Sequence, residues 1–283
     1  MQNDEGLVQI LIMVLVSSEI SEIAGRLIGF LNAPDFPEKL DCELRGFVDF
    51  DLTAVIGFPI GEKPVLLHDG LGQISSPLVM DTYLNKTFVL DACYVACAKG
   101  VEDGLYRLSE LAPDDFFQTN YYNSPEVHPC ISLESGSLAE EIVYITQPTS
   151  GYYLCYSLMR SSQLPIFAAE EFARLKQMTP VVFSLLAKHW ASFYAEKRKI
   201  VQPELRNTLD IAFASFRKEA LSPREQLIVS LILRGHSSFS VAQVLGIAEG
   251  TVKNHRKHIH SKLGITSQSE LFNQFLEHLT SRA

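Results

Sequence analysis

Tryptophan is nearly missing from this sequence, with Trp190 the single example. Cysteine is sparse too: the five, at positions 42, 93, 97, 130 and 155, form an odd and scattered set. That argues against a disulfide framework and for reduced thiols, with Cys93 and Cys97 spaced to share a helix face either as small buried side chains or as a redox pair. Long apolar runs are also lacking. The longest dense stretch, Leu7 to Val16, contains Gln9, follows Asp4 and Glu5 and is soon met by Glu19. It is too short for a membrane span and wrongly flanked for a signal peptide, so a cytoplasmic address and no membrane partner are expected. There is no nucleophile motif, no phosphate-cradling glycine loop and no metal-ligand set, so neither an enzyme nor a cofactor is expected.

What is present is a chain of 283 residues, 47% hydrophobic, long enough for two domains with proper cores. Charge is distributed unevenly. Residues 221 to 283 hold seven Lys/Arg against four Asp/Glu, a balance of +3 in a chain totalling −9, which leaves −12 on the remainder. An acidic body repels a polyanion and a basic tail attracts one, so only the tail is a plausible nucleic-acid footprint. Five of the eight histidines also lie in the tail. His255, His258 and His260 are close together, but no cysteine or spaced histidine pair completes a tetrahedral site, and no metal is expected.

The tail is punctuated as a series of helices. Ser222, Pro223 and Glu225 supply an N-cap, a first-turn proline and a capping-box carboxylate. Leu227, Ile228, Leu231 and Ile232 then form an apolar face, and Gly235 marks the stop. A second short helix is predicted from Ser238 as cap, with Val241, Ala242 and Leu245 inward and Gly246 at a tight turn. The third, from about Glu249 to Leu263, places Val252, Ile259 and Leu263 on one stripe, flanked by His255 and Arg256. Its opposite face carries Gly250, Lys253, Asn254, Lys257, His258 and Ser261, a small, polar and basic set suited to base edges and phosphates in a major groove.

The stretches LSPRE, GIAEGTVKNH and KLG resemble the DNA-binding domain of the LuxR family of bacterial transcriptional regulators, over the last fifth or so of the chain. The resemblance implies an all-α four-helix domain, dimeric binding to double-stranded operator DNA, and a recognition helix matching Thr251 to Lys257. By that resemblance Lys253, Asn254 and Lys257 read bases, while Thr251, His255 and Lys262 contact phosphate or support the helix; His258 belongs to the same basic face. One departure stands out: Ala248 occupies a position where the family usually has Ser, which leaves the recognition helix without a side-chain cap.

Upstream, residues 5 to 31 show helical spacing and end before Pro34 and Pro37. From Gly46 to Leu67 the pattern turns to β, with GFVDFDLTAVIGFPI, a turn at Gly61 and KPVLLHD. Further strands are predicted at Glu141 to Gln147 and Tyr152 to Met159 around the turn of residues 148 to 151, and a helix near Asp91 to Lys99. The fold class expected is α+β, an antiparallel sheet with helices at one face followed by the helical tail. The stretches YLNKTFVLDACY, GLYRLSELAPDDF and TPVVFSLLAKHW resemble GAF- or PAS-like sensor domains found before such helix-turn-helix readers. Trp190 lies in a predicted closing helix, so the tryptophan-rich lining of the family's acyl-homoserine-lactone sensors is missing. No acidic pair or further aspartate suits a phosphoacceptor.

The centre of this body interleaves aromatics with carboxylates. Aromatic faces attract cations and a carboxylate holds an ammonium, so an amine or amino-acid-like effector is one expectation, with Tyr83, Asp91, Tyr94, Phe117, Tyr121, Tyr122 and Glu141 as candidate ligand residues. An aromatic or acidic metabolite, and ordinary core packing of the aromatics, are the alternatives. A closing helix, Pro180 to Lys199, carries two apolar stripes: Val182, Leu186, His189 and Phe193, and Phe183, Trp190 and Tyr194. One is expected to cover the sheet and the other a second subunit. A connector repeats Leu205, Leu209, Ala212 and Phe216. The organisation expected is a sensing and dimerisation domain over 1–200, a helical linker over 201–220 and a reader over 221–283. Either a small-molecule effector or protein docking by the front domain is compatible with this organisation.

Overall fold

A computed structural model of the chain describes residues 18–72, 77–112, 138–191, 211–234 and 236–280. The chain divides into two compact units, residues 1–50 with 167–199, and residues 51–166 with 200–283.

The first unit is helical. α1 covers residues 18–28, α2 Phe36–Phe47 and α6 Ala169–His189. α2 was not anticipated, although Pro37 in its first turn and the buried Phe36, Leu40, Leu44 and Phe47 carry a helical pattern. Arg26 grips Glu43 through two bonds of 2.7 Å, tying α1 to α2. The closing helix begins eleven residues before its expected start and keeps Pro180 inside. Proline offers no N–H there, a local loss that the fully buried Leu175, Met178, Val182 and Leu186 on either side outweigh. One residue of each stripe meets Phe36 in the same unit. Phe36 stacks on His189 at 4.2 Å and meets Trp190 edge-on at 6.2 Å. Phe193 and Tyr194 lie outside the described residues.

The second unit contains a five-stranded antiparallel sheet in the order β2-β1-β5-β4-β3. The strands are β1 Leu52–Pro59, β2 Val65–Gly70, β3 Gly104–Arg107, β4 Leu138–Thr149 and β5 Tyr152–Ser161. Both expected hairpins form, with Gly61 at φ 90° and Gly151 at φ 79° in their turns. The short β3 was not foreseen as a strand, because GLYR is brief and opens straight into a helical turn. α3 Pro77–Asn85, α4 Ala92–Ala98 and the single turn α5 Leu108–Leu111 accompany the sheet. Gly57 in β1 has a packing reason: a Cβ there would lie 2.0 Å from the Tyr152 hydroxyl.

The C-terminal helices follow in the same unit: α7 over residues 211–215, α8 Pro223–Leu233, α9 Ser238–Leu245, α10 Glu249–Leu263 and α11 Gln268–Thr280. Two details differ from expectation. The cap of α9 is Ser237, whose hydroxyl accepts from the Ser240 N–H at 3.0 Å. On α8 the buried face is Ile228, Val229, Ile232 and Leu233, whereas Leu227 is 44% exposed. The four-residue apolar cluster allowed two faces a third of a turn apart, and packing selected one. The connector residues Ala212 and Phe216 are buried, and Phe213 and Phe216 both meet the Phe275 ring of α11, at 4.7 and 5.2 Å. Leu205, Leu209 and Gly235 lie outside the described residues.

Candidate functional site

The polar face of α10 is assembled by the turn that precedes it. Gly246 ends α9 in the left-handed region at φ 63°, a conformation that costs glycine little, and Ala248 leads into α10 in extended backbone without a side-chain hydrogen bond. Val252 and Ile259 are buried against the rest of the domain. Gly250, Thr251, Lys253, Asn254, Lys257, His258 and Ser261 are all exposed, so the set expected from spacing shares one open surface. His255 is half-buried beside it.

Three cations on α10 have intramolecular partners. Lys253 pairs with Glu249 one turn earlier at 2.6 Å, with both side chains well exposed. Arg256 donates to the Ser238 hydroxyl and to the Gln268 side-chain carbonyl, each at 2.9 Å, and so bridges α9 to α11. Lys262 donates to Glu225 at 2.7 Å. Sequence reasoning missed this last engagement because its partner lies 37 residues earlier. Arg256 and Lys262 thus orient the helix, while Lys253, Asn254 and Lys257 project from it.

A second candidate site lies on one face of the sheet. Strand alternation sends Ala54, Ile56 and Phe58 of β1 to the same side, and the antiparallel register places Ser157 opposite Ala54 and Cys155 opposite Ile56. On β4, Glu141 pairs with Met159. These residues, with Tyr83, Asp91 and Cys93 from the helical layer, line a cavity of about 20 Å³, room for one water. The Tyr83 hydroxyl donates to Asp91 Oδ2 at 2.7 Å, while Asp91 Oδ1 accepts from the Cys93 N–H at 2.6 Å as the cap of α4. Asp91 is therefore a structural cap and a cavity carboxylate at once. Glu141 is only 5% exposed.

The candidate ligand residues separate accordingly. Tyr83, Asp91 and Glu141 meet at the cavity. Tyr94 packs instead on Phe88 at 4.9 Å and Phe58 at 5.7 Å, as an aromatic buttress. Phe117, Tyr121 and Tyr122 lie outside the described residues. Tyr144 and Tyr156 stack on each other at 6.1 Å, and burial raises the Tyr144 phenol. The thiols also rearrange the expectation: Cys97 Sγ lies 3.7 Å from Cys155 Sγ on β5, so its sulfur neighbour is across the sheet layer. Burial, first of all, pushes the Cys93 and Cys155 thiols well up, which makes them poor nucleophiles. Among the described residues no cluster of His, Cys, Asp and Glu could hold a metal.

Residues 219–274 match the family described as bacterial regulatory proteins, luxR family. An HTH-type transcriptional regulator in the exeN 3′ region of Aeromonas salmonicida is 37% identical over 191 residues, covering 65% of this chain and 92% of its own length. The chain belongs to the luxR family. As a luxR-family protein it is a transcriptional regulator and not an enzyme. The transcriptional regulatory protein MctR of Rhizobium johnstonii is 42% identical over 60 residues, 21% of this chain and 28% of that one. For the sheet-containing body, the VqsR LBD domain from Pseudomonas aeruginosa is similar in fold, with 25% identity, a TM-score of 0.50, and coverage of 60% of this chain and 94% of that chain.

Within this luxR-family chain, the matched residues hold α8, α9, α10 and the first half of α11, and the exposed face of α10 carries Lys253 and Lys257. Among the described residues no helix is long and apolar enough to cross a membrane.

Proposed function

We propose that this regulator acts in the cytoplasm, binds double-stranded operator DNA as a homodimer through the exposed face of α10, and alters that binding when a small effector occupies the sheet cavity. Residues 1–200 sense and dimerise, 201–220 link, and 221–283 read DNA. The observation that carries the DNA reading is the shared exposure of Lys253, Asn254 and Lys257 on a helix whose other cations are tied inward. Lys253, Asn254 and Lys257 read base edges; Thr251 and His255 contact phosphate or support the helix, with His258 on the same basic face. Lys262 acts through the helix it anchors. In a dimer two such helices meet half-sites about one DNA turn apart.

The test uses operator duplexes selected by the wild-type chain from a random pool. Lys253→Ala and Asn254→Ala each weaken binding by about 1–3 kcal/mol per lost bidentate contact and relax base preference. Lys257→Ala does the same and, by removing a cation, also flattens the salt dependence. Unchanged operator discrimination in all three base-reading variants rejects the assignment, and a chain that remains monomeric on DNA rejects the dimer.

The effector reading rests on Asp91 and Glu141, two carboxylates beside Tyr83 at one cavity, which favour a cationic headgroup. An amine or amino-acid-like metabolite fits that charge. The cavity must widen to admit one, since it holds only about 20 Å³. Its small size favours a second reading, in which the front domain docks another protein without a small ligand. A metabolite thermal-shift screen separates them: stabilisation by amines, lost in Asp91→Asn, supports sensing, whereas stabilisation only by other ligand classes rejects the amine and no stabilisation at all supports docking.

A further inference from the structure

No step of DNA reading or effector binding uses the thiols where α4 packs on the sheet. Cys97 sits in the last turn of α4, and Cys155 lies on β5, the middle strand of the five. Their sulfurs are 3.7 Å apart although the residues are 58 positions apart in the chain. Both are nearly closed to solvent, at 1% and 3% exposure. Cys155 also lines the sheet cavity of about 20 Å³, together with Asp91 and Cys93 from the start of α4.

That geometry is close to a bond. A disulfide holds its sulfurs about 2.05 Å apart, so each must move by roughly 1 Å, a shift within reach of the two side-chain torsions. The cavity limits which oxidant reaches them. Hydrogen peroxide is uncharged and only one oxygen atom larger than the single water that the cavity has room for, whereas a peptide disulfide does not fit.

We infer that Cys97 and Cys155 are the two halves of a reversible redox switch, closed by hydrogen peroxide into a disulfide that fastens α4 to β5. The chemistry runs in two steps. The Cys155 sulfur attacks one peroxide oxygen, the O–O bond breaks, and the hydroxide released takes up the thiol proton as water, leaving a sulfenic acid. The Cys97 sulfur then displaces the sulfenic oxygen, which departs with the Cys97 proton as a second water. Two electrons pass from the sulfur pair to the peroxide. Burial, first of all, raises the Cys155 thiol, which slows the first step and makes the switch a gauge of sustained oxidant. The second step is intramolecular and fast, because the sulfurs are already in contact. Thiol reductants reopen the bond, as befits a disulfide that signals rather than staples. Since Asp91 and Cys93 line the sheet cavity, a tether at the other end of α4 restrains one of its walls, and the bond itself requires no effector.

The full chain, reduced and then freed of reductant, is exposed to hydrogen peroxide for increasing times, blocked with iodoacetamide in denaturant, and mapped by peptide mass spectrometry without reduction. A peptide pair joining Cys97 to Cys155 should become the major form of both cysteines, and should disappear after dithiothreitol. In Cys97→Ala the Cys155 sulfenic acid should persist and be captured by dimedone in a denaturing quench; in Cys155→Ala both the link and the capture should be lost. The wild-type map alone decides the matter if a variant fails to fold. No link, a link from either residue to Cys42, Cys93 or Cys130 instead, or a link formed only once denaturant is present would each overturn the inference.

Discussion

Lys262 Nζ donates to Glu225 Oε2 at 2.7 Å, fastening the last turn of α10 to the first turn of α8. The same carboxylate accepts from the Ser222 N–H at 2.8 Å, and the Glu225 N–H bonds the Ser222 hydroxyl, so a helix cap and an interhelical tie share one side chain. Burial raises the carboxyl, but the Lys262 ammonium and the Ser222 donors outweigh it and hold the group down at about 2.

A pH dependence follows from that depressed value. The stabilisation is fully present above the ordinary value of 4.5 and is lost as pH falls through about 2, because the unfolded chain takes up the proton first. The loss should amount to roughly 1–3 kcal/mol, since the lysine is partly solvated. Hydrogen exchange at the α8 amides, followed from pH 6 to pH 3, should accelerate in the native chain beyond the intrinsic pH effect. In Glu225→Gln the added acceleration should vanish from a lower starting stability. An identical pH response in the two proteins would remove Glu225 as its source.

Ala248 leaves an unfilled role at the other end of α10. Its backbone is already extended at φ −69° and ψ 142°, the geometry of an N-cap, but the Ala248 side chain makes no cap hydrogen bond. Ala248→Ser should therefore stabilise the reader by about 1 kcal/mol without moving the helix. The Thr251 N–H already donates to the Ala248 carbonyl at 2.9 Å, so slower amide exchange at Gly250 is the measurement, and unchanged exchange there would show that the turn satisfies that donor by other means.

The legibility of this chain tracks the range of the interaction involved. The cap at Ser222, the left-handed turn at Gly246, the span Glu249–Leu263 and both hairpin turns are local chemistry, and each was readable from a few neighbouring residues. Contacts across long separations were not. Nothing near Lys262 announces Glu225, nothing near His189 announces Phe36, and nothing near Cys97 announces Cys155. The start of α6 was misplaced because Pro180 reads as a beginning, whereas burial on both sides of it holds the helix together. At the sheet cavity, Asp91 and Tyr83 were legible as a carboxylate and an aromatic in one region; their bond depends on the fold between them.

The thiols offer a check on the sheet face that supplies the cavity. Cys42 is exposed, whereas Cys93, Cys97 and Cys155 are buried, and burial raises Cys93 and Cys155 well above an ordinary thiol. Thiolate is the reactive form, so both its scarcity and its inaccessibility slow alkylation. Timed iodoacetamide labelling read by peptide mass spectrometry should mark Cys42 early and the buried three only after denaturant is added. Labelling of Cys93 or Cys155 at the Cys42 rate in the native chain would mean that their burial is not maintained in solution.

Gly250 separates the demands of folding from those of DNA contact. It lies in the first turn of α10, is exposed, and beyond its chain neighbours and the backbone of its own helix nothing lies within 4 Å of where a Cβ would stand. Nothing inside the protein requires glycine there, and alanine is the better helix former by up to about 1 kcal/mol, less in a first turn. Gly250→Ala should therefore raise the stability of the reader. If this face meets DNA closely enough for backbone to approach it, the same methyl should weaken operator binding, by about 1 kcal/mol or more, through lost contact and displaced neighbours. Unfolding and fluorescence-anisotropy titrations on the one variant give both numbers. A rise in stability with unchanged or tighter operator binding would place Gly250 outside the interface and move the docking surface toward Lys257 and Ser261.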